Sequence, residues 1–292
     1  MSTVVTRVVK PPAVTLTTRA VPAAETINVP TRHGPVRCLV TRPAPGAPLA
    51  ADGVAPPVTV HMHGGGFIVG NPRQDEHLFR GIAGEVGSVV INVDYSTSPR
   101  ARFPQALEEC FDVLRWIERS AGAMGWDAGR IAVSGGSAGA NLAIGLLTLA
   151  ARSGGPAIRA AVLIVPAVDL TISRGELRSP IAKPFVNAGL LTMVDASYLS
   201  EGDDRADPLA SPIFLGDELG AFPPLLVLAA EYDTFLPYID RFVDRARSLG
   251  VGVDQHRFDG VDHDFYLAGS TPAPTMTRLM SLMRDHLLTH LR

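Results

Sequence analysis

Cysteine is scarce in this chain: Cys38 and Cys110 are the only two in 292 residues. That excludes a disulfide-stapled scaffold, and their spacing matches no metal-binding pattern. Cys110 falls on the apolar face of an expected helix, so both thiols read as buried. Long hydrophobic runs are missing too. The longest, residues 160–168 and 221–230, fall short of the roughly 20 residues that a membrane span needs. Nor is there an excess of positive charge. Lys and Arg number 26 against 29 Asp and Glu, for a net charge of −3, and no basic stripe occurs. This argues against a nucleic-acid partner. The first twenty residues are interrupted by Arg, Lys and Pro and lack the apolar core of a secretory signal, so a soluble, cytoplasmic protein is expected.

What is present is apolar. Hydrophobic residues make up 46% and charged residues 19%, which excludes a disordered chain. Residues 1–26 carry prolines and arginines without periodicity and read as an extended arm. Residues 43–57 form a Pro/Gly/Ala-rich loop between two strand-like runs. Short apolar runs then alternate with helical patterns. Strands are expected at 58–62, 88–93, 130–133, 160–165, 224–229 and 253–258. Helices are expected at 76–86, from Pro104 through Ile117, at 138–152, around 239–249, and around 276–287. Continuously apolar strands separated by helices mark an α/β fold, a mostly parallel sheet covered on both faces. About 50 residues, 169–223, break the rhythm and suggest a lid or inserted subdomain.

Four local signals carry chemistry. Gly135-Gly136-Ser137-Ala138-Gly139 lies between an expected strand and an expected helix, where a G-x-S-x-G turn presents a nucleophilic serine. The helix that follows points its N-terminus at the developing negative charge. His63-Gly64-Gly65-Gly66-Phe67 follows the strand at 58–62. Three glycines are costly to order and make sense where backbone N–H groups must approach an oxyanion. Donors are expected from Gly65 and a neighbour, Gly64 or Gly66, together with Ala138, while His63 reads as structural. Asp233 and His263 each follow a strand, in the order Ser, Asp, His that α/β-hydrolases use. Asp262 and Asp264 compete less well for the carboxylate role because they neighbour the histidine, and Asp240 because it lies in an expected helix.

These residues together resemble the hormone-sensitive-lipase-like branch of the α/β-hydrolases, the bacterial family IV esterases. The resemblance runs from about Ile27 to the C-terminus. It includes HGGGF at 63–67, DYSTSPRARFPQALEEC at 94–110, GGSAGANLA at 135–143, DPLASPI at 207–213, AEYD at 230–233 and VDHDF at 261–265. It implies an α/β-hydrolase domain at 27–292 with a cap insertion at 170–206, reduced in size and resting mainly on 172–200. It also implies a serine carboxylesterase of short acyl esters, with Ser137 as nucleophile, His263 as base and Asp233 as orienting acid. No cofactor or metal is implied, and a homodimer is allowed. Pocket candidates are Phe67, Phe185, Leu190, Leu191 and Tyr198. There are departures: Gly136 stands where the family usually has Asp, and Asp264 where it usually has Gly.

Other functions stay open at this level. Lactones, aryl-formamides and sugar acetates suit the same constellation. A non-catalytic receptor on the same fold is a further alternative, although the plant gibberellin receptors that resemble this family lack the histidine. His61 and His63 could face one metal ion, but Gly64 and Gly65 stand where di-zinc hydrolases continue with Asp and His.

Overall fold

The computed structural model describes residues 15–51 and 53–292. The first fourteen residues of the expected arm therefore lie outside the described residues. Residues 15–24 have no regular structure, yet they are anchored. The Thr17 hydroxyl donates to Glu85 at 2.6 Å, and Val21 is buried.

Strands β1 (Glu25–Thr31) and β2 (Gly34–Thr41) form an antiparallel hairpin that turns at Gly34, whose φ is +106°. β1 is not legible as a strand in the sequence. Only Val29 of it is buried, so it carries no apolar signal and two of its residues fall inside the expected arm. The other six strands match the expected ones within a few residues: β3 (Pro57–Met62), β4 (Val89–Val93), β5 (Asp127–Gly136), β6 (Ile158–Ile164), β7 (Leu225–Ala230) and β8 (Val253–Phe258). β5 is longer than its apolar pattern suggests, because its polar first residues pair at Pro57 before the buried run begins.

The eight strands make one sheet in the order β1-β2-β4-β3-β5-β6-β7-β8, parallel from β4 onward. β3 is followed by β4 on one side and neighboured by β5 on the other. The chain therefore changes direction there, and such switch points open a crevice at the carboxyl ends of the strands. Helices α2 (Gln105–Met124), α3 (Ala138–Ser153) and α5 (Leu236–Ser248) cover one face. Helices α1 (Glu76–Glu85) and α6 (Ala273–His290) cover the other. The central strands β3, β4 and β7 are buried along their whole length, as expected of a sheet covered on both faces. α4 (Ala188–Tyr198) is the one α-helix in the long connection between β6 and β7. Asn187 caps it, its side-chain oxygen accepting from the amides of Gly189 and Leu190. No helix among the described residues is long and apolar enough to cross a membrane.

Candidate active site

The G-x-S-x-G turn is a steric necessity here. A Cβ on Gly135 would strike the Gly139 carbonyl carbon and oxygen, and one on Gly139 would strike the backbone oxygen of Met62. Both positions must be bare for α3 to start directly over the ends of β3 and β5. The serine between them pays for this closeness with a left-handed backbone, φ 54° and ψ −116°. Its amide is held by the Ile164 carbonyl at 2.8 Å, and its own carbonyl accepts from Asn141 at 3.1 Å. The Asn141 side chain in turn donates to the carbonyls of Ala167 and Ala210 at 2.7 and 2.8 Å. Asn141 thus fastens the chain leaving β6 beneath the serine. The residue-type patterns do not single it out; only its place in the GGSAGANLA block does.

The Asp233 and His263 loops are laced together. Glu231 donates its amide to Phe258 at 3.0 Å, and Tyr232 donates its own to Val261 at 2.9 Å. This brings three side chains into line. His263 Nε2 lies 2.7 Å from Ser137 Oγ, and His263 Nδ1 lies 2.7 Å from Asp233 Oδ2. The other Asp233 oxygen accepts the Phe235 amide at 2.9 Å. Asp233 and His263 are each only 2% exposed. The competing carboxylates have other partners. Asp262 accepts the amides of His263 and Phe185, at 2.7 and 2.6 Å, and Asp240 binds Gln255.

Each glycine of the H-G-G-G loop has its own reason. A Cβ on Gly64 would collide with the Tyr266 hydroxyl, and one on Gly65 would come within 2.7 Å of the Val69 carbonyl. Gly65, Gly66 and Phe67 are consecutive left-handed residues, with φ of 119°, 59° and 61°. The loop is held from below. His63 Nδ1 donates to the Gly64 carbonyl at 2.7 Å, and the Tyr95 hydroxyl donates to the His63 carbonyl at 2.7 Å. The two rings stack 4.3 Å apart. Burial pushes the His63 pKa below the ordinary histidine value, outweighing the Gly64 hydrogen bond, so the ring is neutral and structural. Beneath it lies a network absent from the sequence reading. His61 bridges Ser134 Oγ at 2.9 Å and Asp75 Oδ2 at 3.1 Å, and all three residues are buried. Both ring nitrogens of His61 are thereby engaged, which removes it from the metal-ligand pairing with His63. Among the described residues no three His, Cys, Asp or Glu side chains converge on a metal position.

The missing family carboxylate before the serine also has a physical reading. A Cβ on Gly136 would fall 2.6 Å from the Tyr266 ring. Tyr266 fills the space that a side chain at position 136 would take, and it packs against Gly64 on the same side. The pocket candidates divide into two groups. Phe67 and Tyr198 stack face to face at 3.8 Å and are buried, as is Leu191. Phe185 is 41% exposed and stacks on the His263 ring at 5.8 Å, and Leu190 lies beside Gly66.

Residues 59–267 match a family model described as alpha/beta hydrolase fold. An ethyl acetate hydrolase of Pseudomonas putida is 36% identical over 72% of this chain and 66% of its own length. An arylesterase of Saccharolobus solfataricus is 28% identical over 78% of this chain and 74% of its own. Among solved structures, an esterase of Pyrobaculum calidifontis superposes with a TM-score of 0.83 at 33% identity, covering 94% of this chain and 87% of that one.

Proposed function

The chain belongs to the alpha/beta hydrolase fold family, and from that premise we propose that it is a serine carboxylesterase acting on short-chain acyl esters through an acyl-enzyme. The observation that carries this reading is the unbroken chain from Ser137 Oγ through His263 to Asp233, with both links at 2.7 Å. The serine hydroxyl donates to Nε2 while Nδ1–H donates to the carboxylate. The imidazole can then take the serine proton as Oγ attacks the ester carbonyl and return it to the departing alcohol. Asp233 holds the ring in this tautomer and stabilises the imidazolium. The oxyanion is received by N–H groups of Gly64, Gly65 and Gly66 together with that of Ala138. As a first residue of α3, Ala138 has no intrahelical acceptor. Water then repeats the cycle on the acyl-enzyme.

Residues 170–206 act as the cap of the 27–292 hydrolase domain. Phe185 and Leu190 face the substrate, whereas Phe67, Leu191 and Tyr198 shape the cleft from behind. The name of the Pseudomonas putida relative supports small acyl and alcohol parts. Cys38 and Cys110 are unpaired and buried, which supports a reducing, cytoplasmic setting. A homodimer would have β8 available as its pairing edge, since β7 is its only partner strand among the described residues. Sedimentation velocity distinguishes one copy from two.

The decisive experiment compares p-nitrophenyl acetate, butyrate, octanoate and palmitate with wild type and Ser137→Ala. Hydrolysis of the short esters is expected to fall by about 10⁴-fold or more in the variant. A folded protein inactive on every chain length would shift the reading. Labelling of Ser137 by a fluorophosphonate would then indicate a lactone, aryl-formamide or sugar-acetate substrate, and absence of label would indicate a receptor.

A further inference from the structure

Asp262 is the residue before the histidine, and its carboxylate is shared between two chain segments. Oδ1 accepts the His263 amide at 2.7 Å, and Oδ2 accepts the Phe185 amide at 2.6 Å from the β6–β7 insertion. The same stretch of the insertion is tied to the neighbouring loop at two more points. The Thr234 hydroxyl donates to the Val186 carbonyl at 2.8 Å, and the Ser179 hydroxyl donates to the Tyr232 carbonyl at 2.8 Å. Thr234 and Tyr232 flank Asp233. Residues 179–186 are thus pinned to both loops that carry the serine's partners.

The outcome is an aromatic enclosure of the imidazole. Phe235 meets it edge-on at 5.5 Å, and Phe185 lies across it at 5.8 Å with only 15° between the ring planes. Phe235 is buried, but Phe185 keeps an open surface toward solvent. In ester hydrolysis the departing alcohol oxygen takes its proton from Nε2, so the alcohol must lie beside the imidazole. A ring fixed across that imidazole therefore borders the alcohol and not the acyl chain.

We infer that Phe185 is the specificity-determining wall for the alcohol part of the ester and that Asp262 is the positioning residue that holds it there. This rests on the esterase reading above. The Asp262 carboxylate serves here as a hydrogen-bond acceptor only. It matches two N–H donors on segments that are distant in sequence, and such charge-assisted bonds are the stronger kind.

The test holds the acyl group constant and varies the alcohol, with ethyl and benzyl butyrate as substrates. Phe185→Ala is expected to raise the benzyl-to-ethyl ratio of kcat/KM by about fivefold or more, the size of a pocket-wall effect. Asp262→Ala is expected to raise it in the same direction, because the ring loses its backbone anchor. In the double variant Asp262→Ala adds nothing further, since its effect on selectivity runs through Phe185. An unchanged or lowered ratio in Phe185→Ala overturns the wall. A loss of kcat in Asp262→Ala that is equal for both esters overturns the positioning role and leaves the carboxylate serving His263 alone. Should Asp262→Ala fail to fold, the Phe185→Ala ratio still decides. Wild type inactive on both esters and unlabelled at Ser137 would remove the esterase reading and this inference with it. An active wild type with an unmoved ratio would remove only the inference.

Discussion

Among the described residues, three with side chains sit in left-handed backbone: Phe67, Ser137 and Val165, with φ of 61°, 54° and 42°. All three lie at the carboxyl ends of strands around one crevice. Such conformations cost on the order of 1–3 kcal/mol each and persist where the surroundings dictate them. For Ser137 the dictating contacts are the bare Gly135 and Gly139 and the hydrogen bond that its N–H donates to the Ile164 carbonyl. Ser137→Gly is therefore expected to be more stable than Ser137→Ala by about 1 kcal/mol, although both are inactive. Urea midpoints of the two variants decide this; equal midpoints would mean that the turn is unstrained. At Gly135 the argument runs the other way. A methyl group there meets backbone on α3, including Ala140 N at 2.7 Å, and backbone cannot rotate aside. Gly135→Ala should cost about 2 kcal/mol or more, or abolish folding, as read from the same measurement.

Among the elements, β3 does more than end in the glycine loop. Its His61 joins β5 through Ser134 and the start of α1 through Asp75, with all three groups out of water. Burial raises the Asp75 pKa, but the hydrogen bond from His61 counters it, and the carboxyl titrates below its ordinary range. Removing the His61 imidazole leaves the buried Asp75 carboxylate without its side-chain partner. His61→Ala is expected to destabilise by about 3–5 kcal/mol in chemical denaturation. A cost below about 1 kcal/mol would show that the network is dispensable. The family-like blocks elsewhere in the chain have similar structural work. Glu109 accepts the Ser96 amide at 2.7 Å and the Gln105 side chain at 2.9 Å, ordering the segment that brings Tyr95 beneath His63. Ser211 of DPLASPI accepts the Leu170 amide at 2.8 Å and donates to the Arg205 carbonyl at 2.6 Å, closing the base of the insertion.

At the scale of the whole molecule, several histidines are buried in neutral form. Burial lowers the pKa values of His63 and His77, and that of His286 on α6 to about 4. The unfolded chain binds these protons near pH 6.5 and the folded chain only at lower pH, so stability is complete above pH 6.5 and is lost as pH falls through the folded values. For His286 the interval runs from 6.5 down to about 4, which corresponds to about 3 kcal/mol. Urea midpoints should therefore drop steeply between pH 7 and 4.5. His286→Phe should flatten that limb; an equally steep fall in the variant would assign the acid sensitivity to other groups.

The order of strands and helices from residue 58 onward was legible in the sequence except for α4, which carries no clear 3.6-residue apolar stripe within 169–223. Burial on both faces writes itself into continuous apolar runs, and helices write a 3.6-residue period. Ser137, Asp233 and His263 were legible as well, because each follows a strand whose end is set by that pattern. The N-terminal hairpin was not legible as a pair of strands, since β1 buries a single residue. The division of the pocket candidates was decided only by tertiary structure. Phe67 and Phe185 are the same residue type in loops, yet one is stacked under Tyr198 and the other lies open across His263. The same holds for Asp262, which its sequence position ranked as a weaker rival to Asp233. Its two acceptors meet amides that are neighbours only after the insertion has folded back onto β8's loop. Local periodicity records which face of an element is buried, but which distant segment covers it is settled by packing.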